Sequence, residues 1–181
     1  IPMFAVEIMH KDLFEDLKYF RLRANEIIRT RPDLASLITN LDDTNEEGNY
    51  LFAIMRAFRL EHLLVRLLDE NEFLSDYGIR SLSKYHEKHP FVFDHHGHHQ
   101  IQYEPGESRS NMFGGNSNWR GPIWMPINYM IIQSLRKYYT FYGDTYVYEF
   151  PTGSGNKLNL KQIANELTKR LIKLFEANSD G

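Results

Sequence analysis

The sequence predicts a mainly α-helical fold with one small β-hairpin, and three observations lead to that prediction. Apolar residues recur at intervals of three and four along much of the chain, which is the spacing of one buried helix face. Residues 122–142 are apolar nearly all round, as in a helix that is buried on both sides. Residues 85–103 instead alternate with the two-residue period of β-strands. A doubly buried helix among amphipathic ones indicates part of an α/α toroid, in which an outer ring of helices wraps an inner ring.

The first third of the chain is predicted to be helical with one polar loop. Residues 11–31 predict a half-buried outer helix, because apolar side chains recur along one face and Pro32 ends the segment. Residues 33–38 predict a short helix, and the polar stretch 40–49 predicts a solvated loop. Residues 51–68 predict a bent or two-part helix whose arginines mark a solvent-exposed edge.

The β-hairpin is predicted from two short alternating runs that flank a turn. Residues 91–93 (Phe-Val-Phe) form one run, and residues 100–103 (Gln-Ile-Gln-Tyr) form the other. The turn is expected at residues 96–98, where a glycine stands between two histidines. This hairpin would be an excursion from a helical body.

Two helices are predicted in the last third of the chain. Pro122 suits the first turn of the apolar helix, and Pro126 is tolerated near that end with a local bend. The final helix begins at Asn159, with Gln162 three residues later as the second half of a capping box. Its predicted buried stripe consists of Leu160, Ile163, Ala164, Leu167, Leu171, Leu174 and Phe175.

Composition limits the classes of function. The 181 residues, 42% hydrophobic and 25% charged, suffice for one ordinary core, so we expect one domain or a large part of one. A net charge of −3 makes nucleic acid an unfavourable partner, and no apolar run has membrane-spanning length. The absence of cysteine excludes disulfides, thiolate metal sites and a cysteine nucleophile in this sequence, and it fits a cytoplasmic location. We expect no cofactor, because the glycine turns lack the Lys-Ser/Thr of a phosphate-binding loop.

The strongest chemical signal is the stretch that runs from Gly114 to Trp124. Trp119 and Trp124, five positions apart, offer apolar ring faces to the C–H side of a pyranose. Asn118, Arg120 and the free amides of a helix start can form hydrogen bonds with sugar hydroxyls. Two alternatives remain open from the residues alone: the tryptophans can belong to a core, and the guanidinium of Arg120 can bridge loop carbonyls.

The run Trp-Arg-Gly-Pro-Ile-Trp at residues 119–124 resembles the Trp-Arg-Gly-Pro-x-Trp signature of glycoside hydrolase family 63. Residues 72–83, 103–108 and 151–155 also resemble sequences from the bacterial and fungal branch of that family. The family contains processing α-glucosidases and mannosylglycerate hydrolases. The resemblance implies that residues 1–181 are one partial domain, the C-terminal half of an (α/α)6 toroidal catalytic domain.

The resemblance also implies roles for particular residues. Trp119 and Trp124 match the two signature tryptophans, for which it implies sugar contact. Tyr77, Arg80 and Ser81 form a second candidate wall, since residues 78–81 open toward the cleft in the family arrangement. The alternative for Arg80 is a turn arginine that pairs with a nearby carboxylate.

The catalytic carboxylates are not recognisable in this sequence. Inverting glycosidases use one carboxylic acid and one carboxylate, held about 6.5–9.5 Å apart. The resemblance places the acid before Ile1 and the base after Gly181, so we expect sugar-binding walls without the catalytic pair, and no activity from this chain alone. Glu107 is a weak candidate for contact with sugar or water, and the alternative is a solvated loop residue.

The partners that follow from this interpretation are a carbohydrate substrate and a cover for the apolar helix faces. That cover is expected to be the remainder of the same catalytic domain or a second copy of the chain. A helical interaction or scaffold module without catalytic activity is the alternative function, because large apolar faces also mark protein interfaces.

Metal binding is a further alternative, based on the histidines near the hairpin. Imidazole is a good ligand for zinc, copper and nickel. A hairpin tip lacks a rigid second shell, and Asp94 alone adds a carboxylate, so we expect no physiological metal site. The histidines concerned are His86, His89, His95, His96, His98 and His99.

Overall fold

The structure, a computed structural model, describes residues 2–41, 43–94, 97–104 and 121–177. These ranges contain six α-helices and four separate two-stranded antiparallel sheets. The fold is therefore helix-rich but mixed. The prediction of a mainly α fold is confirmed only in that coarser sense, because three strand pairs besides the predicted hairpin are present.

The first half of the chain forms one two-stranded sheet and four helices. Its elements are a 3₁₀ helix at Pro2–Phe4, β1 (Val6–His10), α1 (Lys11–Asp16), α2 (Lys18–Thr30), α3 (Pro32–Ala35), β2 (Asn49–Ala53) and α4 (Ala57–Leu67). Strands β1 and β2 pair from Val6 opposite Ala53 to His10 opposite Asn49.

The second half consists of three short strand pairs and two long helices, within the described residues. Its elements are β3 (Leu74–Ser75), β4 (Gly78–Ile79), a 3₁₀ helix at Lys84–Glu87, β5 (Phe91–Asp94), β6 (His98–Ile101), α5 (Met125–Tyr142), β7 (Val147–Glu149), β8 (Lys157–Asn159), α6 (Leu160–Ile172) and a 3₁₀ helix at Lys173–Phe175. Strands β5 and β6 confirm the predicted hairpin, with Phe91 opposite Ile101 and Asp94 opposite His98.

The core lies where α5 packs against α6 on one side and against β1 and β2 on the other. One face of α4 and the strand β3 complete it. Burial of these large apolar side chains removes roughly 1.5–3 kcal/mol of unfavourable hydration each. The fully buried leucines of this core are Leu51, Leu60, Leu64, Leu68, Leu74, Leu135, Leu160 and Leu167.

Two predictions for the first third of the chain are wrong. Residues 11–31 form two helices rather than one, because the backbone leaves the helical conformation at Leu17, and α2 contains no fully buried residue. The start of the predicted helix 51–68 is instead part of β2. Leu51 faces the core, whereas Phe52 packs against the rings of Phe14 and Phe20 on the opposite face of the sheet. Apolar residues on both faces conceal the two-residue period of this strand.

Helix α5 departs from its prediction in two respects. It begins at Met125, so Pro126 rather than Pro122 occupies its first turn, where a missing N–H is tolerated. One stripe of α5 is buried, but Tyr129 on the other side is 63% exposed. The helix is therefore not buried on both sides within this chain, and an α/α toroid is not apparent from the described residues.

The prediction for α6 is largely confirmed. The Oδ1 atom of Asn159 accepts a hydrogen bond of 2.8 Å from the amide of Gln162, whose Oε1 accepts one of 2.9 Å from the amide of Asn159. The predicted stripe is buried as far as Leu171. Leu174 and Phe175 are exposed because α6 ends at Ile172 and a 3₁₀ turn follows.

None of the helices in the described part of the chain is both long enough and apolar enough to cross a membrane.

The capping box of α6 predicts the first stability measurement. Replacement Asn159→Ala should lower the free energy of unfolding by about 1 kcal/mol, because the amide of Gln162 loses its acceptor and Asp144 loses the side-chain amide that donates to it. Urea unfolding of the chain measures this difference. Asn165→Ala, an exposed position inside the same helix, is the control and should cost nothing. Equal losses from both substitutions would contradict the capping role.

A buried hydroxyl in α5 gives a prediction of opposite sign. The hydroxyl of Tyr138 is buried without a hydrogen-bond partner among the described residues, and burial raises the pKa of Tyr138. Tyr138→Phe should leave the free energy of unfolding unchanged or increase it by up to about 1 kcal/mol, since it removes an unsatisfied polar group.

The control is Tyr142→Phe in the same helix. Burial raises the pKa of Tyr142, and the backbone of Ala57, at the start of α4, partly offsets this through its interaction with the Tyr142 hydroxyl. Its removal should cost about 1 kcal/mol in the same urea experiment. A larger loss from Tyr138→Phe than from Tyr142→Phe would show that the Tyr138 hydroxyl has a partner that stabilises the fold.

Candidate functional site

The two predicted sugar-binding segments lie side by side. Arg80 and Ile123 form an isolated antiparallel β-bridge, although they are far apart in sequence. The amide of Ser81 donates to the carbonyl of Pro122 at 2.8 Å, and the Ser81 hydroxyl donates to the carbonyl of Gly121 at 2.9 Å. The end of the Trp-Arg-Gly-Pro-Ile-Trp motif is therefore bonded directly to the segment predicted as the second wall.

A buried asparagine in the first turns of α5 joins the same two segments. The side chain of Asn128, in a residue only 1% exposed, accepts a hydrogen bond of 2.7 Å from the amide of Ile79. Its Nδ2 donates to the carbonyl of Ile79 at 2.9 Å and to that of Trp124 at 3.1 Å. Sequence reasoning missed this residue, because the partners lie at a sequence distance that no local pattern reveals.

Gly78 provides the space that this asparagine needs. A Cβ atom added to Gly78 would lie 2.9 Å from Oδ1 of Asn128 and 2.8 Å from Cδ2 of Leu171. The backbone φ of Gly78 is also +116°, a value that residues with a side chain rarely adopt. A side chain at position 78 would thus meet both steric and conformational obstacles.

Arg80 has a structural role in this arrangement. Its guanidinium donates to the carbonyl of Glu70 at 3.1 Å and to the carbonyl of Leu74, and its Nε donates to the Tyr103 hydroxyl at 3.3 Å. Among the described residues these acceptors are backbone carbonyls and a phenol, and pairing of Arg80 with a carboxylate stays a prediction. The carbonyls satisfied by Arg80 belong to the turn that leads into β3, so the side chain fixes the conformation of that turn.

Tyr77 and Trp124 differ in their exposure. Tyr77 lies in the turn between β3 and β4 and is 46% exposed, with its amide donating to the Ser75 hydroxyl at 3.2 Å. Trp124 is half-buried and precedes the first residue of α5, where its carbonyl accepts hydrogen bonds from the amide and side chain of Asn128. The ring of Tyr77 is thus the more accessible of these two aromatic surfaces.

Two carboxylates that the sequence did not single out lie near this region, Glu72 partly buried and Glu104 buried. Glu72 accepts hydrogen bonds from Arg66 at 2.6 Å and from the Ser83 hydroxyl at 2.7 Å. Glu104, at the end of the described segment 97–104, is only 8% exposed. Both belong to segments that carried the family resemblance. Nothing in the local sequence around Glu72 or Glu104 indicates that these side chains are withdrawn from solvent.

Four of the predicted site residues lie outside the described residues. These are Glu107, Asn118, Trp119 and Arg120. The structure therefore locates Tyr77, Arg80, Ser81 and Trp124 but does not test any contact of these residues with a sugar.

The predicted histidine group is only partly described, since His95 and His96 fall outside the described residues, as does the side chain of His98. Within the described part, no group of three or more His, Asp or Glu side chains is arranged to hold a metal ion. The ring of His89 stacks on that of Tyr85 with centroids 4.1 Å apart, and Nδ1 of His86 donates to the carbonyl of His89 at 2.9 Å. These contacts stabilise the 3₁₀ turn before β5.

The sequence profile of the glycosyl hydrolase family 63 C-terminal domain matches residues 51–175. The chain belongs to this family of glycosidases. The matched range contains every element from β2, apart from its first residues, to α6, and both segments of the candidate site. The resemblance seen in the Trp-Arg-Gly-Pro-Ile-Trp motif is thereby confirmed.

Three curated proteins illustrate the relationship. The uncharacterized protein YMR196W of Saccharomyces cerevisiae is 43% identical over 185 residues, which cover 100% of this chain and 17% of that protein. The probable mannosyl-oligosaccharide glucosidase of Schizosaccharomyces pombe is 37% identical over 81 residues, and the mannosyl-oligosaccharide glucosidase of S. cerevisiae is 32% identical over 82 residues. Each of these two alignments covers 45% of the chain and 7% of the relative. The chain thus spans a small part of the length of these relatives, and no solved structure matches it.

The geometry at Gly78 predicts that this position tolerates no side chain. Gly78→Ala should lower the free energy of unfolding by about 2–4 kcal/mol, since it combines an unfavourable φ with two close contacts. Gly153→Ala is the matched control, because φ is +84° there and a Cβ would meet nothing within 4 Å. The control should lower the free energy of unfolding by only about 1–2 kcal/mol, because it has the unfavourable φ without the close contacts. Urea unfolding of both variants compares the two losses, and equal values would contradict the close packing at Gly78.

Proposed function

We propose that this chain forms part of the sugar-binding cleft of an inverting glycoside hydrolase that acts on α-linked glucosyl or mannosyl glycosides. The observation that carries the proposal is the direct bonding between the Trp-Arg-Gly-Pro-Ile-Trp motif and residues 77–81. Membership of family 63 and the similarity to two glucosidases support the reaction class. The chain would contribute one continuous wall built from two segments.

The described side chains suit sugar contact at this wall. Tyr77 presents an exposed ring, and an aromatic face packs favourably on the C–H bonds of a pyranose. The hydroxyl of Ser81 donates to the Gly121 carbonyl, so its lone pairs can still accept a hydrogen bond from a sugar hydroxyl. We assign sugar contact to Trp124 and, in the residues before it, to Asn118, Trp119 and Arg120. Arg80 would support the wall through its bonds to backbone carbonyls.

The catalytic acid and base are proposed to come from outside this chain. Inversion needs a carboxylic acid that protonates the leaving group and a carboxylate that activates water on the opposite face of the sugar. Glu72 is engaged by Arg66 and Ser83, which favours a structural role for it. Glu107 remains the weak candidate within the chain. The chain alone is therefore proposed to be inactive.

The exposed apolar side chains support the proposal that the rest of the same catalytic domain covers this chain. Tyr129 and Met130 on α5 and Tyr19 and Leu22 on α2 are exposed, although a helix normally directs such residues to a core. In the toroidal arrangement implied by the family, the outward face of α5 would pack against further helices. Residues 1–181 are accordingly proposed to be one partial domain of a longer catalytic unit.

A substitution in the tryptophan motif tests the proposed function. In the complete natural gene product, Trp119→Ala should lower kcat/KM on the preferred α-linked glycoside by about tenfold to a hundredfold, because it removes a large apolar surface that contacts the sugar. A panel of α-glucosides and α-mannosides, with release of free sugar as the readout, identifies that substrate first. Asn165→Ala, at an exposed polar position of α6, is the control and should leave kcat/KM unchanged.

The same experiment separates the two candidate functions. A gene product much longer than this chain, active on an α-linked glycoside and weakened by Trp119→Ala, supports the hydrolase. A product of about this length that hydrolyses no glycoside and binds no sugar overturns it. The exposed faces of α2 and α5 then favour the alternative, a helical interaction module without catalytic activity.

A further inference from the structure

We propose that Asn128 is a positioning residue that sets the spacing between residues 77–81 and Trp124. The significance of this spacing for sugar binding rests on the function proposed above. Asn128 itself would not touch the sugar, because it is buried beneath the backbone of the two segments.

The side chain of Asn128 makes three hydrogen bonds, and all three reach backbone atoms of these segments. It binds Ile79 in two directions, accepting from the amide at 2.7 Å and donating to the carbonyl at 2.9 Å. The second N–H of its amide group donates to the carbonyl of Trp124 at 3.1 Å. Both donors and one acceptor position of the side chain are therefore used, as burial requires.

The two hydrogen bonds between the Asn128 side chain and the backbone of Ile79 reproduce the pattern of a β-bridge, with a side-chain amide in place of a second strand. Such an arrangement needs a planar group that donates and accepts at adjacent atoms. An aspartate cannot donate, and a leucine can do neither. Gly78 adds a second restriction, because the 2.9 Å between its hypothetical Cβ and Oδ1 leaves no room for a side chain. The amide of Asn128 and the glycine thus fit each other.

The remaining hydrogen bonds between the two segments join the same two stretches of backbone as the Asn128 side chain does. Arg80 pairs with Ile123, and Ser81 bonds to Gly121 and Pro122 on the exposed side. Asn128 is the buried member of this series, and water competes least for its hydrogen bonds. We infer that the register of the outer contacts depends on it. A displacement of about 1 Å between binding groups can lower catalytic efficiency by about a hundredfold.

Two substitutions and one control test this role in the complete natural gene product. Asn128→Asp removes both donors, and Asn128→Leu removes all three hydrogen bonds while it keeps a similar volume. Ser134→Ala is the control, because Ser134 is also buried in α5 but donates only to the carbonyl of Met130 within the same helix, at 2.8 Å.

Hydrogen exchange followed by mass spectrometry measures how well Asn128 protects the backbone amides of residues 77–82. The peptide that covers residues 77–82 should exchange about tenfold faster in both Asn128 variants than in the wild-type protein. Exchange of the same peptide should be unchanged in Ser134→Ala. Wild-type protection of residues 77–82 in Asn128→Leu would overturn the proposal.

Steady-state kinetics on α-D-glucopyranosyl fluoride and α-D-mannopyranosyl fluoride measure the consequence for the site. We expect kcat/KM of the Asn128 variants to fall by about tenfold to a hundredfold, mainly through KM, with an unchanged pH profile because the catalytic acid and base are untouched. Measurements well below the melting temperature, scaled to the folded fraction, remove the effect of simple destabilisation. Kinetic constants equal to those of Ser134→Ala would overturn the positioning role.

The two proposals fail in different ways. If the wild-type protein hydrolyses neither fluoride nor any glycoside of the panel, the proposed function fails. Hydrogen exchange then decides by itself whether Asn128 fixes the spacing of the two segments.

Discussion

Burial of one stripe of α5 holds together both the core and the candidate site of this protein. Ile131, Leu135 and Tyr138 on that stripe are fully or almost fully buried, and the helix contacts α6, β1 and β2 through it. Asn128 lies on the same stripe, since it precedes Ile131 by three positions. The apolar residues therefore fix the rotation of the helix, and that rotation places a single amide group under the backbone of Ile79. Packing in the core and the geometry of the candidate site are set by the same element.

Several polar side chains near the candidate site form hydrogen bonds with backbone groups of the chain. Arg80 satisfies carbonyls of the turn before β3, and Ser81 holds the end of the tryptophan motif. The backbone of two loop segments gains fixed partners in this way, without a continuous sheet between them. A rigid wall of this kind suits a sugar, because many weak contacts must be made at once and little binding energy remains for ordering the protein.

The exposed side of the molecule has a different character. Tyr129 on α5 and several apolar residues of α2 face outward, and α2 contains no fully buried residue. The chain also covers only 17% of a relative with which it shares 43% identity. A core that covers one stripe of α5 and leaves Tyr129 of the same helix exposed is the arrangement expected of a segment whose apolar faces pack within a larger catalytic domain, and this agrees with the proposed function.

Features whose causes lie within a few residues of each other could be predicted from the sequence. The capping box of Asn159 and Gln162, the buried stripe of α6 and the hairpin of β5 and β6 are all local in this sense. The family was also evident from a contiguous motif, residues 119–124. Local hydrogen bonds and periodic burial correspond to short sequence patterns, so they can be predicted from the order of residues.

Features that depend on partners far away in the sequence became apparent only in the folded structure. Residues 49–53 form a strand because β1 pairs with them, although the apolar run that begins at residue 51 predicted a helix. Arg80 bonds to the carbonyls of Glu70 and Leu74 because the turn around it brings those carbonyls within reach. Asn128 reaches Ile79 across 49 positions in the chain, and an asparagine that forms a buried clamp has the same appearance in the sequence as one that faces water. Long-range register depends on how whole elements pack, so no short stretch of sequence contains it.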